Sequence, residues 1–456
     1  MLRLPRILPL ALVLCGLTAG PASAGPGQTL TFEAPRDLLN PATRPGALAE
    51  LQTMGVHSLR VILTWSAVAP SPGASQRPSF EPTDPNTYRW GEYDALMAAA
   101  RQRGWPVVLT ISGPVPRWAT AARRDTLTRP SPAAFAAFVT AVGRHYGPQV
   151  NTWSIWNEPN QPQFLRPQFA RGGRAISPGI YRQLYLAAVR GLRNAGQGGD
   201  TILLGETSPR GTTRVVAPLT FLRGVLCLDS RYRRRGRCSA LPASGYAHHA
   251  YTTRQGPYFK PPSRNDVTIG VLSRLTTALD RARRAGALTQ RLPIYLTEFG
   301  IQSTPDRQSG VSLRQQVEYR AIAERIAYGN RRVVAFSQYL LRDSEPTGPH
   351  QYGGFESGLR FNDGRPKPSL RAFPLPLAVL RSGSRASVWG LIRPAGRATT
   401  ATITFADRGS ATFRTLRTVT TDARGYFRFT TRYRDGRRWN VTWQGRSGVP
   451  VGALSR

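Results

Sequence analysis

The chain has 456 residues, 40% of them hydrophobic, which excludes a mini-protein and a globally disordered chain. It carries 62 basic against 25 acidic residues, a formal charge of +37, and nearly all of the basic residues are arginine. This excess predicts electrostatic association with anionic polymers, and for an exported protein we expect these to be polymers of the cell envelope.

Residues 1–24 have the pattern of a signal peptide: two arginines precede an apolar stretch, and a small-residue cleavage site ends at Ala24. A lipid anchor at Cys15 is disfavoured because the bulky Leu14 precedes it. No later stretch has eighteen unbroken apolar residues. We therefore expect a secreted mature chain that does not span a membrane.

From about residue 28 to residue 371, short apolar runs rich in β-formers alternate with helical stretches. The eight predicted strands are Gln28–Glu33, Ser58–Thr64, Pro106–Ser112, Val150–Trp156, Thr201–Glu206, Gly245–Tyr251, Pro293–Phe299 and Val333–Leu340. The six predicted helices are Ala47–Met54, Trp90–Arg103, Pro132–Tyr146, Pro178–Ala195, Val267–Ala285 and Leu313–Tyr328. Eight strands in series predict a (β/α)8 TIM barrel over residues 25–373.

Cys227 and Cys238 are the only cysteines after the signal segment, and an oxidising compartment favours a disulfide between them. The loop between them holds five arginines. Such a run is consistent either with an anion site or with a solvated loop in an arginine-rich chain, and charge runs are usually solvated.

The pattern changes after Phe373, where Pro374 and Pro376 predict a stiff hinge. About eighty residues follow in which Thr, Val and aromatic residues alternate between turn signals. This predicts a small, sandwich-like, all-β accessory domain over residues 374–456. We expect it to be removable without unfolding the barrel.

The active site of such a barrel lies at the C-terminal ends of its strands. Glu158 ends the fourth predicted strand, in Trp-Asn-Glu-Pro-Asn, and Glu298 ends the seventh, in Tyr-Leu-Thr-Glu-Phe-Gly. Each motif alone is weak. Together, on the fourth and seventh of eight strands, they indicate a pair of catalytic carboxylates.

On these motifs, residues 28–371 resemble the retaining glycoside hydrolases of clan A, which include cellulase-like and β-xylosidase-like families. The resemblance implies that Glu158 is the acid/base and Glu298 the nucleophile. It also implies that Arg60 keeps the nucleophile ionised and that Asn157 binds the sugar 2-hydroxyl.

The same resemblance places His249 and Tyr251, in the clan's His-x-Tyr pattern, beside the sugar and the nucleophile. For a single His or Tyr at a strand end, a purely structural role is the commoner one. Trp65 and Trp118 follow the second and third strands and are candidates for a sugar-stacking platform, or for packing a loop onto the barrel. Glu206, at the end of the fifth strand, is expected to bind substrate or to support the catalytic pair.

The clan's Trp at the end of the eighth strand is replaced here by Ser337-Gln338-Tyr339, and Gln338 or Tyr339 is expected to take its place. We expect no metal and no cofactor, because neither metal-ligand spacing nor a phosphate-binding loop is present.

The expected partner is a carbohydrate substrate. One alternative is a non-catalytic carbohydrate-binding or envelope protein on the same fold. Another, a nucleic-acid-binding protein, depends on charge alone, and we expect no specific nucleic-acid partner.

Overall fold

The computed structural model describes residues 28–346 and 354–455. The predicted signal peptide, with Cys15 and Ala24, lies outside the described residues. None of the helices in the described part of the chain combines the length and hydropathy needed to cross a membrane.

Eight parallel strands close into a barrel in chain order, with β1 hydrogen-bonded to both β2 and β8. The strands are β1 Thr29–Glu33, β2 Leu59–Thr64, β3 Val107–Ser112, β4 Thr152–Ile155, β5 Thr201–Thr207, β6 Gly245–His249, β7 Ile294–Glu298 and β8 Val333–Tyr339. All eight predicted strands are confirmed, with small shifts at their ends. Parallel strands require crossover connections, and helices supply them here.

The helices are α1 Pro35–Leu38, α2 Arg44–Thr53, α3 Trp65–Val68, α4 Glu92–Gln102, α5 Pro132–Tyr146, α6 Ser177–Asn194, α7 Pro218–Val225, α8 Leu272–Arg284, α9 Leu313–Tyr328 and α10 Pro368–Ala372. Single-turn 3-10 helices lie at Pro85–Thr87, Arg117–Ala119 and Ile269–Val271. The six predicted helices are confirmed. Four helices in the described part of the chain were not predicted from the sequence: α7 spans only eight residues, and α1, α3 and α10 span four or five, so each shows too few turns for helical spacing to be recognised.

The second unit consists of two four-stranded sheets, with strand orders β13-β10-β9-β16 and β12-β11-β14-β15. Its strands are β9 Leu377–Ser382, β10 Arg385–Leu391, β11 Thr400–Ala406, β12 Arg414–Thr420, β13 Tyr426–Arg432, β14 Arg438–Trp443, β15 Arg446–Ser447 and β16 Ala453–Ser455. Buried side chains from both sheets, including Val379, Val388, Ile403 and Trp439, form one apolar cluster. This confirms a TIM barrel followed by a sandwich-like β unit.

The sheet that contains β9 is a middle layer, covered on both faces. Alternate residues of a strand face opposite sides of its sheet. Leu377 and Val379 belong to the cluster between the two sheets, whereas Ala378 and Leu380 pack with Ile322 of α9. The apolar run at the start of β9 is therefore buried on one side by the other sheet and on the other side by the barrel.

Buried charges also join the two units. The carboxylate of Glu324, on α9, accepts hydrogen bonds from Arg393 Nη1 at 2.9 Å and Nη2 at 2.8 Å, and from Arg320 Nη1 at 3.1 Å. Burial raises the pKa of Glu324, but the two guanidinium groups outweigh it and leave the pKa below its ordinary value.

No strand among the described residues is shared across residue 374, but the apolar core is. The boundary itself stays a prediction, and the expectation that the β unit is dispensable needs revision. Deleting residues 374–456 would expose apolar side chains of α9 such as Val317 and Ile322 and strip Glu324 of Arg393. We expect the truncated barrel to aggregate or to melt at a clearly lower temperature in calorimetry.

A point variant tests the same interface more gently. Arg393→Ala leaves a buried carboxylate with one partner fewer, and breaking a buried ion pair costs about 3–5 kcal/mol. Arg397→Ala removes an equal charge from an exposed position and is the matched control. Equal unfolding free energies for the two variants would contradict a stabilising role of the buried Arg393–Glu324 ion pair.

The predicted disulfide is confirmed: Cys227 and Cys238 are bonded, with Cα atoms 6.2 Å apart. The arginine-rich loop between them is organised by Asp229, whose carboxylate accepts from the backbone N–H groups of Arg231 and Arg233 and from Arg233 Nε, each at 2.8 Å. These hydrogen bonds hold the pKa of Asp229 at about 2. The loop therefore folds into a turn that is held by hydrogen bonds to the Asp229 carboxylate.

Candidate active site

The candidate active site lies at the C-terminal ends of the barrel strands. The structure brings together seven residues expected there from the sequence: Arg60, Asn157, Glu158, Glu206, His249, Tyr251 and Glu298. Arg60, on β2, is almost fully buried at the centre. Its Nη2 donates to Asn157 Oδ1 at 2.9 Å and to Glu206 Oε2 at 3.1 Å. Burial opposes its charge, yet the surrounding carboxylates raise the pKa of Arg60 above its ordinary value.

Glu298, at the end of β7, receives hydrogen bonds on both carboxylate oxygens. Tyr251 Oη donates to Oε1 at 2.6 Å, and Arg60 Nη1 donates to Oε2 at 3.0 Å. Burial, followed by the charge of Glu298, raises the pKa of Tyr251 well above its ordinary value, so the phenol keeps the proton that it donates. Both donors stabilise a negative charge on Glu298.

His249, at the end of β6, joins the carboxylates. Its Nδ1 lies 2.9 Å from Glu158 Oε1 and 3.6 Å from Glu298 Oε2, and its Nε2 lies 2.6 Å from Glu206 Oε2. Burial alone would lower the pKa of His249, but the three carboxylates raise it to about 10. At neutral pH the ring is therefore an imidazolium with two N–H donors.

Glu158 differs from Glu298 in its surroundings. It has no guanidinium partner among its described contacts; His249 and the amide of Gln161 are its hydrogen-bond partners. Burial is the main reason that its pKa is raised; the hydrogen bond and charge of His249 oppose the rise, and the nearby charge of Glu298 adds to it. Glu158 is therefore the carboxyl group better suited to hold a proton.

Glu206 lies beneath the site, and its contacts favour the second of its two expected roles, support of the catalytic pair, over substrate binding. Its side chain is fully buried, and beyond Arg60 and His249 it accepts from Thr297 Oγ1 at 2.7 Å and Thr110 Oγ1 at 3.1 Å. Burial would raise its pKa, but Arg60 and His249 lower it to about 2. Its oxygens are occupied by the protein, so it fixes the orientation of the two cations.

Sequence reasoning missed Glu33, a fourth carboxyl group, at the end of β1. Its Oε2 accepts from Arg60 Nη1, the same nitrogen that reaches Glu298. Burial raises the pKa of Glu33 to about 7, although Arg60 opposes the rise. The signal was present in the sequence, since Glu33 is a carboxylate that ends a strand, as Glu158, Glu206 and Glu298 do.

Backbone geometry marks the same strand ends. Trp156, Glu158 and Glu206 have φ angles of 71°, 38° and 50°, in the left-handed region that residues other than glycine rarely adopt. Such conformations are costly and persist only where surrounding contacts fix them. The hydrogen bonds of Glu158 to His249, and of Glu206 to Arg60 and His249, are contacts of that kind.

Trp65 and Trp118 are buried away from the site, which favours the second of their two expected roles, packing a loop onto the barrel, over a sugar platform. Trp65 is fully buried and stacks on Phe138 at 4.9 Å, with ring planes 6° apart. Trp118 is 6% exposed, meets Trp65 edge-on and donates its indole N–H to Pro70 O at 3.3 Å. Both pack a loop against the barrel.

Gln338 also points away from the site. Its Oε1 accepts from Arg320 Nε at 2.7 Å, and its Nε2 donates to Ser357 O at 3.1 Å. In the β1–β8 register, Gln338 lies opposite Phe32, whereas Tyr339 lies opposite Glu33. Tyr339 therefore shares the inward orientation of Glu33, and it replaces Gln338 as the residue expected at the end of β8.

Phe355 is a second residue that the sequence analysis missed. It is the exposed large hydrophobic side chain of the described residues, at 39% exposure. Its ring centroid lies 5.2 Å from that of Tyr339 and 6.1 Å from that of Tyr251, which binds Glu298. Phe355, from a loop, therefore supplies an aromatic surface near the Glu298 carboxylate, which Trp65 and Trp118 do not.

The segment that carries Phe355 is anchored by a buried lysine. Lys367 Nζ donates to Glu356 O at 3.0 Å, Ser303 Oγ at 3.0 Å and Asp343 Oδ1 at 2.7 Å. Burial raises the pKa of Asp343 to about 6 despite its ion pair with Lys367. The lysine fixes the backbone next to Phe355.

The ionisation of Glu33 should be detectable as a pH-dependent difference in stability between the parent and the Glu33→Gln variant. With a pKa of about 7 in the fold and 4.5 when unperturbed, Glu33 ionises first in the unfolded chain, so stability falls as the pH rises from about 4.5 to about 7. Glutamine cannot ionise. We expect the melting temperature of Glu33→Gln, relative to the parent, to be higher at pH 8 than at pH 5.

The matched control for this prediction is Asp435→Asn, at an exposed position in the β unit. Its melting temperature should differ from that of the parent by the same amount at both pH values. A pH-independent difference for Glu33→Gln would contradict the assigned ionisation.

No group of three or more His, Cys, Asp or Glu side chains in residues 28–346 and 354–455 is arranged to hold a metal ion.

No protein-family model matches the sequence, and no curated protein matches it either. Among solved structures, a glucosidase from Croceicoccus marinus is similar, with a TM-score of 0.55 and 11% identity over 92% of this chain and 96% of that chain. A β-glucosidase from Pyrococcus furiosus is matched with a TM-score of 0.47 and 13% identity, over 77% of this chain and 94% of that one. For Penicillium canescens endo-1,4-beta-xylanase XylE the TM-score is 0.45, with 15% identity over 75% and 92%. The chain therefore shares its fold with the Croceicoccus marinus glucosidase over nearly the whole length of both proteins.

Proposed function

We propose that this protein is a secreted retaining glycoside hydrolase of the clan A type, which cleaves β-glycosidic bonds of an oligo- or polysaccharide. The observation that carries the proposal is the contact of both carboxyl groups with one nitrogen, His249 Nδ1, at 2.9 Å for Glu158 and 3.6 Å for Glu298. These two contacts place the nearest oxygens of the pair within 6.5 Å of each other. Inverting enzymes hold their carboxyl groups about 6.5–9.5 Å apart, and retaining enzymes about 5–5.5 Å.

In the proposed first step, Glu298 attacks the anomeric carbon while Glu158 transfers its proton to the departing glycosidic oxygen. The bond to the leaving group breaks, and a covalent glycosyl-enzyme forms. Asn157, oriented by the hydrogen bond from Arg60, donates from its amide nitrogen to the sugar 2-hydroxyl. Arg60 and Tyr251 hold the attacking carboxylate in place before the reaction.

In the second step, Glu158 accepts a proton from a water molecule that attacks the anomeric carbon. The bond to Glu298 breaks and the sugar leaves with the β configuration. Both carboxyl groups return to their starting states. Export of the protein is part of the proposal, since a disulfide is typical of oxidising compartments.

The direct test is hydrolysis of a panel of 4-nitrophenyl β-glycosides and of plant and microbial polysaccharides, with the first-formed anomer recorded by proton NMR. We expect release of a β-configured sugar from at least one substrate. An α-configured first product would contradict retention. Saturable binding without any hydrolysis would favour the non-catalytic alternative.

Phe355 should contribute to substrate affinity, because sugar rings present apolar C–H faces that pack on aromatic rings. We expect Phe355→Ala to raise KM about tenfold, in the range of one lost aromatic contact, and to leave kcat nearly unchanged. Phe355→Trp preserves an aromatic face and should retain the parental KM. Equal kinetic constants for the alanine variant and the parent would contradict this role.

A further inference from the structure

A second concave site lies on the outer wall of the barrel, between α8, α9 and the sheet that contains β10 and β13. It is a cavity of about 1000 Å3. None of its lining residues belongs to the carboxylate group inside the barrel. Its volume is at the upper end of the range of about 300–1,000 Å3 for small-molecule pockets, and far exceeds what a single inorganic anion requires.

The cavity is positively charged. Arg325, Arg331 and Arg428 line it, and none of its lining residues in the described part of the chain is Asp or Glu. Arg325 joins the two walls, since its guanidinium donates to Ser387 O at 3.1 Å and to Ser387 Oγ at 2.9 Å. Arg331 and Arg428 are exposed, on the barrel side and the β-unit side respectively. A ligand in the cavity would therefore meet cationic side chains on both sides.

The lining also includes hydroxyl and aromatic groups, which are suited to binding sugars. Its hydroxyl-bearing side chains include Thr276, Thr277 and Thr430. Tyr258 and Tyr328 supply partly exposed aromatic rings. Such a mixture of hydroxyl and aromatic groups suits a ring that has apolar faces and polar edges.

Trp389 extends the aromatic part of the lining, because its ring centroid lies 5.7 Å from that of Tyr328.

We propose that this cavity binds a segment of a carboxylate-bearing polysaccharide, a polyuronate, outside the barrel. Arginine recognises carboxylates through a planar pair of N–H donors, which favours uronic acid units over neutral sugars. The size of the cavity favours several sugar rings over a free anion. The inference does not depend on the proposed hydrolytic function, because the two sites share no residue.

The test is calorimetric titration of the full chain with a hexameric oligogalacturonate at 0.15 M salt. The fully methyl-esterified hexamer has the same backbone without charge and serves as the matched ligand. We expect saturable binding of the acid and at least tenfold weaker binding of the ester.

Variants locate the binding. Arg331→Ala combined with Arg428→Ala should weaken binding of the acid about tenfold. Arg190→Ala combined with Arg193→Ala removes the same charge from exposed positions on α6 and should change it less than about twofold. Thr277→Trp, at an exposed helical position in the lining, places a bulky ring in the cavity and should weaken binding of the acid at least tenfold.

Three results would overturn the proposal: equal losses in the two double variants, equal binding of acid and ester, or no saturable binding. Equal losses in the two double variants would mean that the acid binds by general electrostatic attraction to a highly basic protein. Melting temperatures establish that each variant is folded, and if the Arg331/Arg428 variant unfolds, Thr277→Trp decides. Hydrolysis of a short aryl glycoside should be unchanged in every variant.

Discussion

Replacing Glu298 by alanine is expected to lower kcat by several orders of magnitude while leaving the fold intact. The substitution removes the group proposed to attack the anomeric carbon and leaves Arg60 and Tyr251 facing an empty space. Azide can occupy that space and attack in place of the carboxylate. We therefore expect added azide to restore turnover of an activated β-glycoside and to give the α-glycosyl azide, identified by NMR.

The control is Asp435→Ala, an exposed carboxylate in the β unit, which should retain parental kcat. Full activity of the Glu298 variant would overturn the assignment of the site. Rescue that gave a β-azide would instead exchange the proposed roles of the two carboxyl groups.

Replacing Glu158 by alanine is expected to have an effect that depends on the leaving group. The variant lacks the proton donor, so substrates with poor leaving groups should lose several orders of magnitude in kcat/KM. Dinitrophenyl glycosides need no protonation and should still form the glycosyl-enzyme. Hydrolysis of that intermediate is then slow, and azide should accelerate it and give the β-glycosyl azide.

The pH dependence supplies a second measurement for Glu158. Because burial raises its pKa, Glu158 stays protonated to a higher pH than an ordinary carboxyl group, and activity is lost as the pH rises through that raised pKa. We expect kcat/KM of the parent to fall on the alkaline side of its pH profile. For Glu158→Ala with an activated substrate, this alkaline fall should disappear. An unchanged alkaline fall would assign the ionisation to another group.

The fold and the centre of the site could be predicted from sequence because both follow from strand ends. Each barrel strand is a short apolar run, and the polar residue after it must emerge at the same rim. That rule located Glu158 and Glu298, and the same rule applied to the first strand would have located Glu33. Its neighbour Arg60, on β2, contacts residues at or just after the ends of β1, β4, β5 and β7, which sequence spacing does not show.

The aromatic residues could not be assigned in the same way. Trp65 directly follows β2, but α3 begins at that residue and carries the indole behind the barrel wall, onto Phe138. Gln338 and Tyr339 are adjacent, and a shift of one residue in register exchanges the inward and outward faces. Phe355 comes from a loop whose position depends on tertiary contacts rather than on periodicity.

The burial of Lys367 has a practical consequence for labelling the protein. The sequence holds only two lysines, and the other, Lys260, is exposed and lies two residues from Tyr258 in the wall of the outer cavity. Amine-reactive esters need an accessible amine, which the fully buried side chain of Lys367 does not offer. Apart from the terminal amine, a fluorophore or a solid support would therefore couple at one defined position, next to the cavity where a bound polysaccharide would change its emission.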